Sequence, residues 1–387
     1  MKKDVVIIGG GASGLFTALH IADDISVCII DSAPLGKKLL VTGNGRANLT
    51  NTDISNKYYN KDLDKYFDRF NATDTIKLFA KLGLLTYADD EGRVYPITNT
   101  ATSVQDVLTS KIISNNNIEY IRNKVATVSP IENGYLITLD NEQSIECTYC
   151  VVACGGNAKI NLPLEISIQE FTPALCSLET TPNTGLNGIR VHPATVSLFV
   201  DNNNIYSEQG EILFKENGIS GIVIMNISNH LPKDVQNTHL IIDLLPTYTN
   251  EKLFDILVDI IQNNHHLLVG QICNGILHKS LASNVLSRAK LHFNDKASNL
   301  SHTKLKEIVF QIKNYYVKVI GRLQNNQIYL GGVALNDLNY ELEHKKASNL
   351  YFAGEFTEVA GHCGGFNLQW AFTSGAIIGK SISSKKD

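Results

Sequence analysis

The 387-residue sequence predicts an α/β chain in which a Rossmann-like nucleotide-binding domain is interrupted by an inserted β-barrel-like plus helical domain. Three observations predict it. The chain opens on a buried-strand run that passes through a glycine-rich turn into a helix. It closes on a second strand, a glycine pair and an apolar helix. Between them the apolar residues switch to two-residue alternation, the mark of a half-exposed sheet. Length agrees, since a single hydrophobic core rarely extends beyond about 250–300 residues.

The first element is Asp4-Val5-Val6-Ile7-Ile8, followed by Gly9-Gly10-Gly11-Ala12-Ser13-Gly14 and then by Leu15, Ala18, Leu19 and Ala22 at helical spacing. This is a dinucleotide fingerprint in the context it requires. Gly9 permits the tight turn, Gly11 lets backbone approach a pyrophosphate, and Gly14 lets helix and strand pack closely. Ala12 and Ser13 open a helix whose N-terminal N–H groups and partial positive charge suit an anion. A second strand, Ser26-Val27-Cys28-Ile29-Ile30, ends on Asp31, where a carboxylate accepts from ribose hydroxyls and disfavours a 2′-phosphate.

The next elements complete the first domain. Residues 60–85 form an amphipathic stretch, and residues 101–114 read as a helix with Val104, Val107, Leu108 and Ile112 on one face. Strands follow at 119–121 and 124–128, then a hairpin through Asn133-Gly134 and a strand over 149–154 ending at Gly155-Gly156. The inserted domain, expected over 189–324, shows strands at 195–200, 210–213, 222–227 and 239–244. Helices are expected at 250–263, 266–281 and 303–319. The chain re-enters the first domain, expected over 1–188 and 325–387, at Ile328-Tyr329-Leu330-Gly331-Gly332-Val333.

At the far end, Leu350-Tyr351-Phe352-Ala353 leads to Gly354-Glu355, and Gly361-His362-Cys363-Gly364-Gly365-Phe366-Asn367 delivers a helix over 370–378. Two helix N-termini in one domain suit a long cofactor. In a bound FAD the phosphates would lie on the first, and the flavin O2/N1 edge on the last, whose dipole favours the negative charge of reduced flavin. No second strand–GxGxxG–helix unit is present. NAD(P)H is therefore expected only as a transient donor.

These segments, with Gly36-Lys37-Lys38-Leu39-Leu40-Val41-Thr42-Gly43-Asn44-Gly45-Arg46-Ala47-Asn48-Leu49-Thr50-Asn51 and residues 210–221, resemble the bacterial flavoprotein family called HI0933-like, or BaiN-like, NAD(P)/FAD-dependent oxidoreductases. The resemblance runs nearly the full chain. It implies an FAD enzyme of the glutathione-reductase-like superfamily. It further implies that Val125 offers backbone to the adenine, that Ala153 and Gly155 pass beneath the pyrophosphate, and that Lys38, Gly43, Gly45, Arg46 and Asn48 face the cofactor. Arg46 is expected to pair with pyrophosphate or an anionic substrate. Cys154 stands where the family carries threonine, and the loop after Gly156 is shorter than the family pattern.

Composition sets limits. A formal net charge of −4 leaves no basic footprint for nucleic acid or an anionic membrane. No window is apolar enough to cross a bilayer, and Met1-Lys2-Lys3 runs into a strand too short for a signal peptide, so a cytoplasmic protein is expected. Seven scattered cysteines fit reduced thiols. Cys147 and Cys150 form a CxxC in an extended run, where side chains three apart are expected on opposite faces. His265 and His266 are adjacent on an expected helix and diverge, so no metal is expected.

His362, just ahead of the flavin-facing turn, is the candidate proton donor, its pKa lying naturally near working pH. The expected function is hydride transfer between flavin N5 and a small organic substrate. Two alternatives share every motif: an oxygen-using amine or amino-ketone oxidase, and a flavin-holding electron carrier or redox regulator without turnover.

Overall fold

Val5, Val6 and Ile7 are fully buried because their strand, Lys2–Ile8, lies at the centre of a parallel sheet, covered on both faces. The computed structural model describes residues 1–181 and 185–386. Within them, Lys2–Ile8 pairs in parallel with Val27–Asp31 on one side and Ser144–Val152 on the other, and Ile118–Arg122 extends the sheet beyond Val27–Asp31. The strand Ser144–Val152 has two partners in succession along its outer edge. Its first half pairs antiparallel with Gly134–Leu139, which continues into Val125–Ile131, and its second half pairs in parallel with Leu350–Phe352.

The helix Ala12–Leu19 packs on the closing helix, Phe366–Lys386. Glycine makes the crossing close: a Cβ at Gly375 would lie 2.4 Å from the Ser13 carbonyl oxygen, and one at Gly379 2.5 Å from that of Thr17. Phe16 and Phe372 stack beside the crossing at 4.0 Å. A small antiparallel sheet of Thr50–Asn51, Arg93–Pro96 and Thr86–Ala88 completes the first unit. The amphipathic stretch over 60–85 divides into Asp64–Phe67 and Ala72–Lys81. Asn71 and Asp74 form a reciprocal capping box that starts the second helix afresh.

The chain divides into two units, Met1–Thr172 with the segment from Ile328 onward, and Pro173–Gln327. The second begins earlier than residue 189 because Leu178–Thr181 is a stave of its barrel. That barrel is closed and antiparallel, in the order Leu178–Thr181, Gly218–Ser220, Asn203–Lys215, Arg190–Val200, Thr238–Asp243, Tyr315–Arg322. Helices Asn250–Asn263, Lys279–Arg288 and His302–Lys313 accompany it.

Three expected elements differ. Residues 222–227 form the helix Ile222–Ser228 instead of a strand, launched by Gly221 at φ +114, where a Cβ would strike the Glu211 carbonyl at 2.3 Å. The helix expected over 303–319 stops at Lys313, after which Tyr315, Val317 and Val319 alternate inward as a barrel strand. The helix expected over 266–281 is reduced to Val269–Cys273, which ends ahead of Asn274-Gly275, and Lys279–Arg288 begins separately behind an N-cap at His278. Among the described residues no helix is long and apolar enough to cross a membrane.

Candidate cofactor site

The four glycines of the first turn divide into those that are filled and one that is open. At Gly9, φ +111, a Cβ would lie 2.3 Å from the Ala153 carbonyl oxygen, and at Gly14 one would lie 1.9 Å from the Gly9 oxygen. At Gly10 the Leu35 side chain occupies the space. Over Gly11 nothing lies within 4 Å. Gly11 also N-caps the helix Ala12–Leu19 without a side-chain cap, so Ala12, Ser13 and Gly14 precede the first intrahelical bond, from Leu15 N–H to Gly11 oxygen. An open cradle at a helix N-terminus fits a phosphate group.

Asp31 is oriented beside it. Its Oδ2 accepts from Gly10 N–H at 2.7 Å and its Oδ1 from Ala33 N–H at 2.8 Å. A carboxylate has about four lone-pair directions, so two remain for hydroxyls. The strand Ser144–Val152 runs on through Ala153, whose N–H donates to the Ile8 oxygen at 2.8 Å. Gly155, φ +76, lies under two charges: a Cβ there would be 2.9 Å from Lys38 Nζ and 3.6 Å from Glu355 Oε2. Glu355 Oε1 accepts from Tyr329 N–H at 2.7 Å. Burial pushes the Glu355 carboxyl above its ordinary value, against the pull of Lys38. Burial likewise pushes the Cys154 thiol up to about 12, so it is no nucleophile at neutral pH. Val125 is buried at the start of its strand, opposite Leu139.

The loop over 43–48 is a run of left-handed residues, with φ of 56, 56, 81 and 54 at Gly43, Asn44, Gly45 and Ala47. Its Arg46 guanidinium lies over the Tyr95 ring, 4.6 Å from the centroid. With its amide oriented so that both ends find partners, Asn48 donates from Nδ2 to the Thr50 oxygen at 3.0 Å and accepts at Oδ1 from Gly365 N–H at 3.1 Å. Gly365, φ +98, has no room for a side chain, because a Cβ would lie 2.4 Å from the Thr50 oxygen. Gly354, at the start of the terminal block, presents its N–H to Ser374 Oγ at 2.9 Å.

Around the turn that precedes the closing helix, asparagine amides hold the backbone. Asn367 Oδ1 accepts from Gly361 N–H at 2.8 Å, and its Nδ2 donates to the Gly361 and His362 oxygens at 2.9 and 3.2 Å. Asn60 accepts from Ala360 N–H and donates to the Glu358 oxygen. The Asn367 side chain is thus committed to the loop, and the helix offers only backbone, with Phe366, Asn367 and Leu368 ahead of the first bond, Gln369 N–H to Gly365 oxygen. His362 donates its own N–H to the Tyr58 oxygen at 2.9 Å, and Tyr58 stacks on Phe366 at 4.4 Å. Asn51, Tyr58 and Asn60 are the loop's supports that sequence reasoning missed. The repeated asparagines near residue 50 were the available signal.

Among the described residues no group of three or more His, Cys, Asp or Glu side chains gathers in a way that could hold a metal ion. The His265 and His266 rings meet edge to face at 6.0 Å. Cys147 and Cys150 do not point apart as expected. Both are buried, and burial first, then the Cys147 thiol beside it, raises the Cys150 thiol well above its ordinary value. The inside–outside alternation slips at Thr148 and Tyr149, both half-buried.

A parallel sheet, an unfilled space over Gly11 at the first helix N-terminus, an oriented acid at the end of the second strand and a second helix N-terminus define a Rossmann-type FAD-binding protein of the oxidoreductase class. The chain belongs to the HI0933-like family: the model for the HI0933-like protein Rossmann domain matches residues 3–381. It is 28% identical to the 3-dehydro-bile acid delta(4,6)-reductase of Clostridium scindens, over 98% of each chain. It is 27% identical to the ribosomal RNA dihydrouridine synthase of Haemophilus influenzae, again over 98% of each. Among solved structures, the open conformation of a flavocytochrome c3 fumarate reductase aligns with 99% of this chain and 78% of its own, at 13% identity and a TM-score of 0.45.

Proposed function

We propose that this chain is an FAD-dependent oxidoreductase that saturates a carbon–carbon double bond conjugated to a ring carbonyl in a small organic substrate, with NAD(P)H as transient donor. The observation that carries the flavin half is the opening over Gly11 at an uncapped helix N-terminus, beside an Asp31 already oriented by Gly10 N–H. The substrate bond is drawn from the relatives. A 3-dehydro-bile acid delta(4,6)-reductase and a dihydrouridine synthase both saturate a ring double bond conjugated to a carbonyl. The net charge of −4 supports a small molecule over RNA.

When bound, FAD supplies hydride from N5 to the carbon remote from the carbonyl. The rest falls to the chain. Gly11, Ala12 and Ser13 would hold the phosphates, Lys38 would neutralise them, and Asp31 would accept from the ribose. The N-terminus of the closing helix would offer its positive dipole end to the reduced flavin. His362, fixed through its backbone by Tyr58 and Asn367, would donate the proton that completes saturation.

The test is anaerobic reduction of the yellow protein with NADH or NADPH, followed by a 3-oxo-Δ4 steroid and, separately, by uridine-containing ribosomal RNA. Prompt flavin reoxidation with a saturated steroid product supports the reading. Reoxidation by RNA alone would move the substrate to a nucleobase. Turnover with oxygen only would favour an oxidase and sink the reductase.

A further inference from the structure

The carbonyl of Gly364 and the N–H of Gly365 belong to one peptide plane, and each is gripped by a different asparagine. Asn51 Nδ2 donates to the Gly364 oxygen at 3.2 Å, while Asn48 Oδ1 accepts from Gly365 N–H at 3.1 Å. Both asparagines are buried. Each amide is itself tied down: Asn48 Nδ2 donates to the Thr50 oxygen, and Asn51 Oδ1 accepts from Asp53 N–H at 2.9 Å. The strand Thr50–Asn51 is in turn registered on Arg93–Pro96, Thr50 opposite Val94 and Asn51 opposite Arg93.

Such a grip has a physical purpose at this point in the chain. A plane between two glycines meets little steric resistance to turning over, and Gly364 and Gly365 sit at φ +131 and +98, in the region only glycine enters easily. Unpinned, the plane would exchange its N–H for its carbonyl according to the charge beside it. The rest of the loop is bound by Asn60 and Asn367, so this plane is the joint between a fixed loop and a helix N-terminus.

We propose that Asn48 and Asn51 are positioning residues that hold the Gly364–Gly365 peptide in one orientation in both redox states of the protein. The pin itself stands on the bonds above; its redox consequence rests on the flavin reading. With the plane fixed, the electrostatic environment presented by the helix end is the same before and after reduction. With it freed, the plane follows the charge and the midpoint potential moves.

The test uses Asn48→Ala, which frees the N–H, and Asn51→Asp, which keeps the size and the acceptor for Asp53 N–H but loses the donor to the Gly364 and Glu91 oxygens. Asn48→Asp controls for added charge, because it still accepts from Gly365. Hydrogen-exchange mass spectrometry over peptides spanning 361–368 is read on the apoprotein and on oxidised and reduced holoprotein, with the midpoint potential. The expectation is that wild type exchanges alike in both redox states. Asn48→Ala should exchange Gly365 at least about tenfold faster, since loss of one buried hydrogen bond corresponds to that order. Asn51→Asp should shift the potential further than Asn48→Asp does. A wild type whose exchange here changes on reduction, or folded variants with wild-type exchange and equal potentials, overturns the proposal. Faster exchange with an unmoved potential overturns its redox half. A protein that takes up no FAD refutes the flavin reading instead, and apoprotein exchange still decides the pin.

Discussion

Gly375 lies so close to Ser13 that a single added carbon would come within 2.4 Å of the Ser13 carbonyl oxygen. The contact joins the first helix of the chain to the last. Both helices start at glycine turns, so the crossing sets the relative placement of the two N-termini that a long cofactor would span. Gly375→Ala should force them apart and destabilise the apoprotein by about 1–3 kcal/mol, the usual cost of overpacking. Chemical denaturation of the variant measures this, and an unchanged midpoint would mean that the helices separate freely.

Gly11 and Gly14 should respond oppositely to substitution. Gly14→Ala places a Cβ 1.9 Å from the Gly9 oxygen and should unfold the turn. Gly11→Val enters open space at a backbone that tolerates it, φ −80, and should leave apoprotein melting near wild type while abolishing FAD retention. Flavin absorbance after gel filtration, alongside a melting curve, reads both. A yellow Gly11→Val protein would remove the phosphate from this cradle.

Asp31→Ala is expected to act twice. Its loss leaves Gly10 and Ala33 N–H groups without their acceptor even before any cofactor binds, at about 1–3 kcal/mol of apoprotein stability. Weaker FAD binding should add to that through the lost ribose contacts. Comparing apoprotein and holoprotein stability separates the two effects, and a variant weakened only in the holoprotein would contradict the structural half.

Glu355 gives a pH dependence of defined sign. Burial raises its carboxyl above the ordinary value of 4.5, so the folded chain holds the proton more tightly than the unfolded chain. Below that value both forms are protonated and no cost arises. As pH climbs through it towards the raised value, the unfolded chain ionises first and the fold loses stability. Glu355→Gln, which keeps an acceptor for Tyr329 and Gly156 N–H, should therefore melt above wild type at pH 7, with the gap closing as pH falls past 4.5. A gap that is constant with pH would show that ionisation of Glu355 plays no part.

What could be read from the sequence follows from how local the physics is. The strand from Asp4 to Ile8, its glycines and Asp31 were legible because a parallel strand buried on both faces writes a continuous apolar run, and each glycine answers a short-range steric demand. The stretch over 303–319 misled because Ile312, Tyr315, Tyr316 and Val319 satisfy helical spacing, while Tyr315, Val317 and Val319 also alternate; the barrel decided between them. Arg46 is expected to pair with pyrophosphate or an anionic substrate, and its resting place over the ring of Tyr95, 49 positions away, is one that no motif announces. The grip of Asn51 on Gly364 spans 313 positions and could not be inferred from spacing at all.

Because Leu350–Phe352 completes the outer edge of Ser144–Val152, the central sheet stays unfinished until the chain has been synthesised past Phe352. The barrel strands, all contained within residues 178–322, have every partner available sooner. On the ribosome the interrupting unit can therefore mature while the interrupted one waits with an unpaired strand edge. That order leaves the nucleotide-binding half, with its high sequence separation between pairing partners, as the slow and aggregation-exposed step of biogenesis.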